Sequence, residues 1–260
     1  MTAALSLEFL GVGSAHAVGL GSASAVLLRD GVPDLMIDCG PQALERFLER
    51  FDEVPRALFI THAHLDHIGG MERLFGLVHW NADLCGRVRL YVPAPVVPWL
   101  QRRLADYPEV AAEGGVNFWD AFRLVPVSSG FWHAGLRFDV FAVRHHAPDT
   151  AFGLALRGSF VFSGDTRPIP EVLAQVASNG EPVLHDCALA GNPSHSGIDD
   201  IEREYSPDLL RRLVLYHYGS AADGESLAAR GYRVARPGDT LSLSPPAAEV
   251  RLAAHQEPTA

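Results

Sequence analysis

Thr61-His62-Ala63-His64-Leu65-Asp66-His67-Ile68-Gly69-Gly70 is the stretch that decides how this chain is read. The residues before it, Ala57-Leu58-Phe59-Ile60, have the composition of a buried strand. Residues 68–75 after it read as a helix start. Three histidines and an aspartate therefore sit on the loop leaving the C-terminal end of a strand, the edge of an α/β sheet where ligand sites form. Four ligand-type side chains within six positions exceed what one tetrahedral ion holding a substrate can use. Two metals side by side are the simplest solution, with His62 and His64 serving one and Asp66 and His67 the other. Imidazole with carboxylate suits zinc, or iron or manganese. A histidine-rich surface turn is the competing reading in a chain with 12 histidines. Only the metal reading demands further ligands downstream.

Such residues are present, each just past an apolar run. Arg144-His145-His146-Ala147, Phe162-Ser163-Gly164-Asp165-Thr166 and Leu215-Tyr216-His217-Tyr218 end three later strands, and Asp38-Cys39-Gly40 ends an earlier one. One such station means little; together they complete two three-residue ligand sets and a shared carboxylate.

The composition narrows the function. With 260 residues, 48% hydrophobic and 20% charged, the chain is an ordinary soluble globular protein by balance. Its net charge of −10 argues against a surface built to grip long nucleic acid. Cys39, Cys85 and Cys187 are widely spaced, with no Cys-x-x-Cys, so a reducing cytoplasm is expected. No signal peptide is expected, because the N-terminus lacks a basic region and Glu8 interrupts its apolar run. No apolar run is long enough to span a bilayer, so no membrane partner is expected.

Taken in order, strands are expected at 5–12, 23–28 and 34–39, then a helix from Pro41 through Phe51 and the strand at 57–60. A strand at 87–92, a helix at 97–107 and strands at 122–127 and 136–145 follow. Residues 151–156 and 159–163 form a hairpin around Arg157-Gly158. The rest alternates: helix 170–177, strand 182–187, helix 207–212, strand 213–216, a last helix including 227–230, and a closing segment at 233–243. This order predicts an α/β protein, two mixed sheets sandwiched between helices in an αββα arrangement. One domain is expected over 1–244, with a disordered Ala-, Pro- and Glu-rich tail at 245–260.

The spaced set His62-x-His64-x-Asp66-His67, with His146, Asp165 and His217, resembles the metallo-β-lactamase superfamily. The resemblance runs from Phe9-Leu10-Gly11-Val12-Gly13 to His217. It is nearest the ribonuclease Z and small-phosphodiesterase branch. Carrying that are the opening Phe9-Leu10-Gly11-x-Gly13-Ser14 with Asp38-Cys39-Gly40, then Ser163-Gly164-Asp165-Thr166-Arg167-Pro168, then His185-Asp186-Cys187 with His195-Ser196 downstream. The resemblance implies that His62, His64 and His146 bind one metal, that Asp66, His67 and His217 bind the other, and that Asp165 bridges. His145 competes with His146; His146 is preferred because it lies nearer Phe152-Gly153, which the branch places shortly after its ligand. Asp38 and Asp186 are expected to support ligands from behind.

The resemblance implies a dinuclear-metal hydrolase, with Asp66 and His195 as catalytic candidates and His195 as general acid in its Pro193-Ser194-His195-Ser196-Gly197 turn. The long arm with which ribonuclease Z grips transfer RNA is missing, because only 19 residues (165 − 146) separate His146 from Asp165. A small phosphodiester, such as a cyclic nucleotide, is the expected substrate, and a homodimer is carried over from the branch. The alternatives are a lactone or thioester hydrolase, a ribonuclease Z-like RNA endonuclease, and a non-hydrolytic diiron sensor. His16 is taken as an ordinary histidine, although its place after the first strand could set it at the border of the pocket, and the aromatic pairs His79-Trp80, Phe118-Trp119 and Phe131-Trp132 are taken as packing.

Overall fold

The computed structural model describes residues 3–106 and 115–248. Six strands from the first half enter one sheet: β1 (Leu5–Gly11), β2 (Ser24–Arg29), β3 (Val32–Ile37), β4 (Ala57–Phe59), β5 (Val88–Pro93) and β6 (Phe122–Val127). Seven build a second: β7 (Gly130–His133), β8 (Leu136–Ala142), β9 (Phe152–Leu156), β10 (Phe160–Phe162), β11 (Val183–Asp186), β12 (Leu213–Tyr216) and β13 (Arg233–Val234). The last strand, β14 (Thr240–Ser242), returns to the first sheet beside β1. The orders are β14-β1-β2-β3-β4-β5-β6 and β13-β12-β11-β10-β9-β8-β7. Each sheet is antiparallel on one side and parallel on the other, changing at β3–β4 in the first and β10–β11 in the second. The expected αββα sandwich of two mixed sheets is therefore the fold.

Helices α1 (Pro41–Phe51), α2 (Leu65–Ile68), α3 (Met71–His79) and α4 (Val97–Leu100) connect strands of the first sheet. Helices α5 (Pro170–Val176), α6 (Ile198–Glu204), α7 (Pro207–Leu210) and α8 (Ala221–Ala229) serve the second. Pro41 opens α1, where its missing N–H is not needed, and Ala43, Leu44 and Phe47 bury one face at helical spacing. No helix among the described residues is long and apolar enough to cross a membrane.

The strands read as unbroken apolar runs because both faces of their parallel parts are covered. Aromatic rings join the sheets: Phe9 meets Tyr216 at 6.4 Å between centroids, and Phe59 stacks on Phe131 at 5.8 Å. Phe59 is fully buried, so truncation to alanine removes about 3–5 kcal/mol by core precedent.

Several elements depart from the sequence reading. The strand expected at 136–145 stops at Ala142, and the chain then turns until Ala151 accepts the Val143 N–H at 3.1 Å. The helix expected at 97–107 is α-helical only to Leu100, then widens into a π-helical turn, Gln101–Ala105; Tyr107 lies outside the described residues. Strand β7 and helix α6 have no counterpart in the sequence reading. Helix α6 carries only Ile198 and Ile201 as buried residues, too few to show a period, and is opened by Asp200 accepting from Gly197 N at 3.1 Å. In the tail, the Ala247 N–H donates to the Arg157 carbonyl at 2.8 Å; residues 249–260 lie outside the described residues.

Candidate metal centre

The loops following β3, β4, β8, β10 and β12 meet at one edge of the sandwich. His62 follows β4, and the short helix α2 sets Asp66 and His67 one turn on. The Asp38-Cys39-Gly40 turn lies against this loop: Cys39 N–H donates to the His67 carbonyl at 2.7 Å, and Gly70 N–H to the Cys39 carbonyl at 2.9 Å. Gly40 permits that approach, since a Cβ there would fall 2.0 Å from the Asp66 carbonyl oxygen. Asp38 and His217 both take left-handed backbone conformations, at φ 60° and 67°. Asp and His tolerate that region better than most residues, but it is still strained, and strain of this kind collects where function over-determines a residue.

Three groups of ligand atoms converge and Asp165 belongs to all of them; the third, Asp165, Asp186, His195 and His217, overlaps the second at Asp165 and His217. The first is His62, His64, His145 and Asp165; the second is Asp66, His67, Asp165 and His217. Asp165 Oδ2 lies 3.2 Å from His67 Nε2, 3.3 Å from His217 Nε2, 3.7 Å from His62 Nε2 and 3.8 Å from His145 Nε2. Asp66 Oδ2 is 3.4 Å from His67 Nε2 and 3.7 Å from His217 Nε2.

Behind the clusters, hydrogen bonds decide which ring nitrogen carries the proton. Asp38 Oδ2 accepts from His67 Nδ1 at 2.8 Å and from Thr61 Oγ1 at 2.7 Å, while its Oδ1 accepts from Thr61 N at 2.8 Å. With its proton committed to Asp38, the Thr61 hydroxyl accepts from His62 Nδ1 at 3.0 Å. His145 Nδ1 donates to the Ser194 carbonyl at 2.9 Å. In all three rings Nδ1 is the donor, so Nε2 is the nitrogen turned to the cluster, as metal-ligating histidines require.

The two halves differ electrically. Burial pushes His62 well below its ordinary pKa, and pushes His64 and His145 down to about 4, leaving neutral imidazoles. Burial acts the same way on His67 and His217, but carboxylates outweigh it: Asp165 and Asp38 hold His67 well above its usual range, and Asp165 and Asp186 lift His217 to about 10. The second half is thus an anion-rich pocket that holds positive charge.

The structure places His145, not the preferred His146, in the first group. His146 instead lies behind His64, with its Nε2 at 2.7 Å from His64 Nε2, while His145 Nε2 faces His64 Nδ1 at 3.2 Å. Nearness to Phe152-Gly153 is the wrong guide, because residues 143–150 have left the strand and its alternation no longer sets side-chain direction. The other six expected ligands come together. His195 joins them: its Nδ1 is 2.8 Å from Asp186 Oδ2, and its ring stacks on His217 at 4.9 Å. Burial lowers the His195 pKa, but the Asp186 carboxylate wins and the net shift is upward. A cleft of about 390 Å³ opens here, reaching His16, Asn192 and Asp223. His185 ties to Tyr205 at 2.6 Å, and His79 packs on Phe75. The sequence alone assigns no role to Thr61, which proves to be the relay from Asp38 to His62.

The donor set fits divalent metal on the structure's own terms. His62 Nε2, His67 Nε2, His217 Nε2 and both Asp165 carboxylate oxygens are buried without a hydrogen-bond partner. So many unpaired buried polar atoms in one spot are costly unless a cation, taking the place of the ring protons, is shared among them.

Comparison with known proteins agrees with this architecture. The family model for the Anti-Pycsar protein Apyc1 matches residues 5–240. An Anti-Pycsar protein Apyc1 from Paenibacillus sp. (strain J14) is 43% identical over 224 residues, covering 83% of this chain and 89% of its own. The one from Paenibacillus xerothermodurans is 29% identical over 225 residues, covering 82% and 88%. Among solved structures, a diphosphatase of the PhnP family superposes with a TM-score of 0.71 at 18% identity, covering 92% of this chain and 97% of its own. The metallo-β-lactamase fold protein YhfI from Bacillus subtilis gives 0.68 at 12% identity over 92% and 99%, and the short form of human tRNase Z 0.63 at 18% over 91% and 98%. The fold is the metallo-β-lactamase fold, and the chain belongs to the family of the Anti-Pycsar protein Apyc1.

Proposed function

We propose that this protein is a dinuclear-metal phosphodiesterase whose substrate is a small phosphodiester, a cyclic nucleotide in the first instance. The observation that carries the reading is the set of unpaired Nε2 and carboxylate atoms around Asp165, with the His195–Asp186 pair beside it. His62, His64, His145 and Asp165 would hold one ion, and Asp66, His67, His217 and Asp165 the other. Bound there, zinc, manganese or iron would supply an activated water and neutralise charge developing on the phosphoryl oxygens.

The chain's own residues supply the rest. Asp38 fixes His67 directly and His62 through Thr61, so neither ring has to reorganise. Asp186 accepts from His195 Nδ1, which aims the other nitrogen and favours the imidazolium. Hydrolysis breaks a P–O ester bond and releases that oxygen as an alkoxide, which needs a proton, and His195 is the group that donates it. Asp66, in the wall of the main cleft, serves as ligand and as catalytic carboxylate. The absence of a long arm also supports a small substrate: hairpin β9–β10 occupies the stretch between His145 and Asp165. The relatives' family and the phosphoryl chemistry in the names of the PhnP-family diphosphatase and tRNase Z point the same way.

The test is a panel on metal-reconstituted protein: cyclic nucleotides, bis(p-nitrophenyl) phosphate, a transfer-RNA precursor and an acyl-homoserine lactone. Phosphodiesters are cleaved, and His195→Ala lowers turnover by about 10²- to 10⁴-fold, the usual share of a positioned general acid, while keeping its metal. Cleavage of the lactone alone would replace this reading with ester hydrolysis. Undiminished turnover in His195→Ala would remove the acid assignment.

A further inference from the structure

His64 lies in the walls of two clefts. The larger, described above, carries Asp165, His195 and His217. The smaller, about 200 Å³, has His62, His64, Trp99, Arg103, His146 and Thr150 in its wall. That volume is below the roughly 300–1,000 Å³ of a drug-sized pocket and suits a single flat ring system.

Three observations mark the smaller cleft as a binding surface. Trp99 is 45% exposed on helix α4, although a tryptophan normally buries most of its ring. Its indole is not loose, since the Arg102 guanidinium sits 5.3 Å from the ring centroid. Next, Arg103 has no hydrogen bond or ion pair among the described residues, and its charge is felt at His146. Last, Arg103 lies in the π-helical turn Gln101–Ala105, a winding that is rare and recurs at functional sites. A fixed aromatic face and a guanidinium without a partner among the described residues thus stand beside the candidate metal centre. The larger cleft has the carboxylates Asp66, Asp165 and Asp223 and no tryptophan or arginine in its wall, which suits water and a leaving alkoxide better than an apolar ring.

Resting on the phosphodiesterase reading, we propose that the smaller cleft is the nucleobase subsite. The base stacks on Trp99, Arg103 donates to the acceptor edge of the base, and the phosphodiester reaches past His64 to Asp165. The bond broken then faces His195 in the larger cleft. Trp99 and Arg103 are specificity residues in this arrangement, and His146 is the wall behind His64.

The experiment compares kcat and KM for a cyclic nucleotide and for methyl p-nitrophenyl phosphate, which has no base, in wild-type protein, Trp99→Ala, Trp99→Phe and Arg103→Ala. Base stacking on an aromatic ring contributes about 1–3 kcal/mol, or about 5- to 150-fold at 1.36 kcal/mol per decade. KM for the cyclic nucleotide in Trp99→Ala therefore rises about 5- to 150-fold more than KM for the base-free substrate. Trp99→Phe recovers most of that difference, and Arg103→Ala shows part of it. Equal effects on both substrates, or none, would overturn the subsite while leaving the phosphodiesterase standing. A wild-type protein that cleaves no phosphodiester would end both.

Discussion

Replacing Asp38 by asparagine exchanges a carboxylate oxygen for an amide nitrogen, yet it should disarm ligands in both halves of the site. The new side chain can keep the left-handed backbone of Asp38, since asparagine tolerates φ near 60°. It can also keep one acceptor for the Thr61 N–H. The second position becomes an NH₂, which faces His67 Nδ1 and Thr61 Oγ1, where Asp38 Oδ2 now accepts at 2.8 and 2.7 Å. An NH₂ can only donate, so the His67 proton moves to Nε2, the atom that would bind metal. The Thr61 hydroxyl turns toward His62 Nδ1 and pushes that proton to Nε2 as well. Loss of an outer hydrogen-bond partner typically weakens metal affinity 10- to 100-fold, about 1.4–2.7 kcal/mol. Response at His67 alone gives that range, and response at both rings about twice the free energy. Chelator competition measures the affinity, and ¹⁵N chemical shifts of the two imidazoles report the tautomers. Wild-type affinity with unmoved shifts would refute the relay through Thr61.

The crossing of His145 and His146 is tested by replacing each with alanine: His145→Ala should lower the metal content toward one ion per chain, and His146→Ala should leave it near two, as read by elemental analysis. Asp34 provides an acid-stability prediction away from the site. Burial alone would raise its carboxyl, but His133 at 3.3 Å and Arg29 at 2.9 Å outweigh burial and hold it below the ordinary 3.8. A depressed carboxyl stabilises the fold above the unfolded value and loses that contribution as pH falls through the folded one. Urea titrations of wild-type and Asp34→Asn should therefore differ at pH 6 and converge as pH drops below about 4.

Much of the site was legible because each ligand sits just past an apolar run, where a strand must end. His62, Asp165 and His217 follow that rule, and α2 carries Asp66 and His67 by simple helical succession. His145 was not separable from its neighbour in that way. Its role is set by a hydrogen bond to Ser194, 49 positions away, and such a contact leaves no trace in local spacing. Thr61 was hidden for the same reason, as an ordinary hydroxyl whose value lies in two partners brought by folding. The sandwich itself was readable from strand order, while β7 and α6 were not, because their short apolar pattern is overridden by pairing with β8 and by packing of Ile198 and Ile201.

The donors come from both layers: His62, His64, Asp66 and His67 follow a strand of one sheet, and His145, Asp165 and His217 follow strands of the other. A cation held among them acts as a rivet through two plates that otherwise adhere by greasy contact and a few polar links, such as the His62–Ala151 bridge and the Asp34–His133 pair. Prying the layers apart would then require surrendering the ion, so resistance to heat becomes a function of the free metal in the surroundings. At a hundredfold excess over its dissociation constant, one rivet adds about 2.7 kcal/mol.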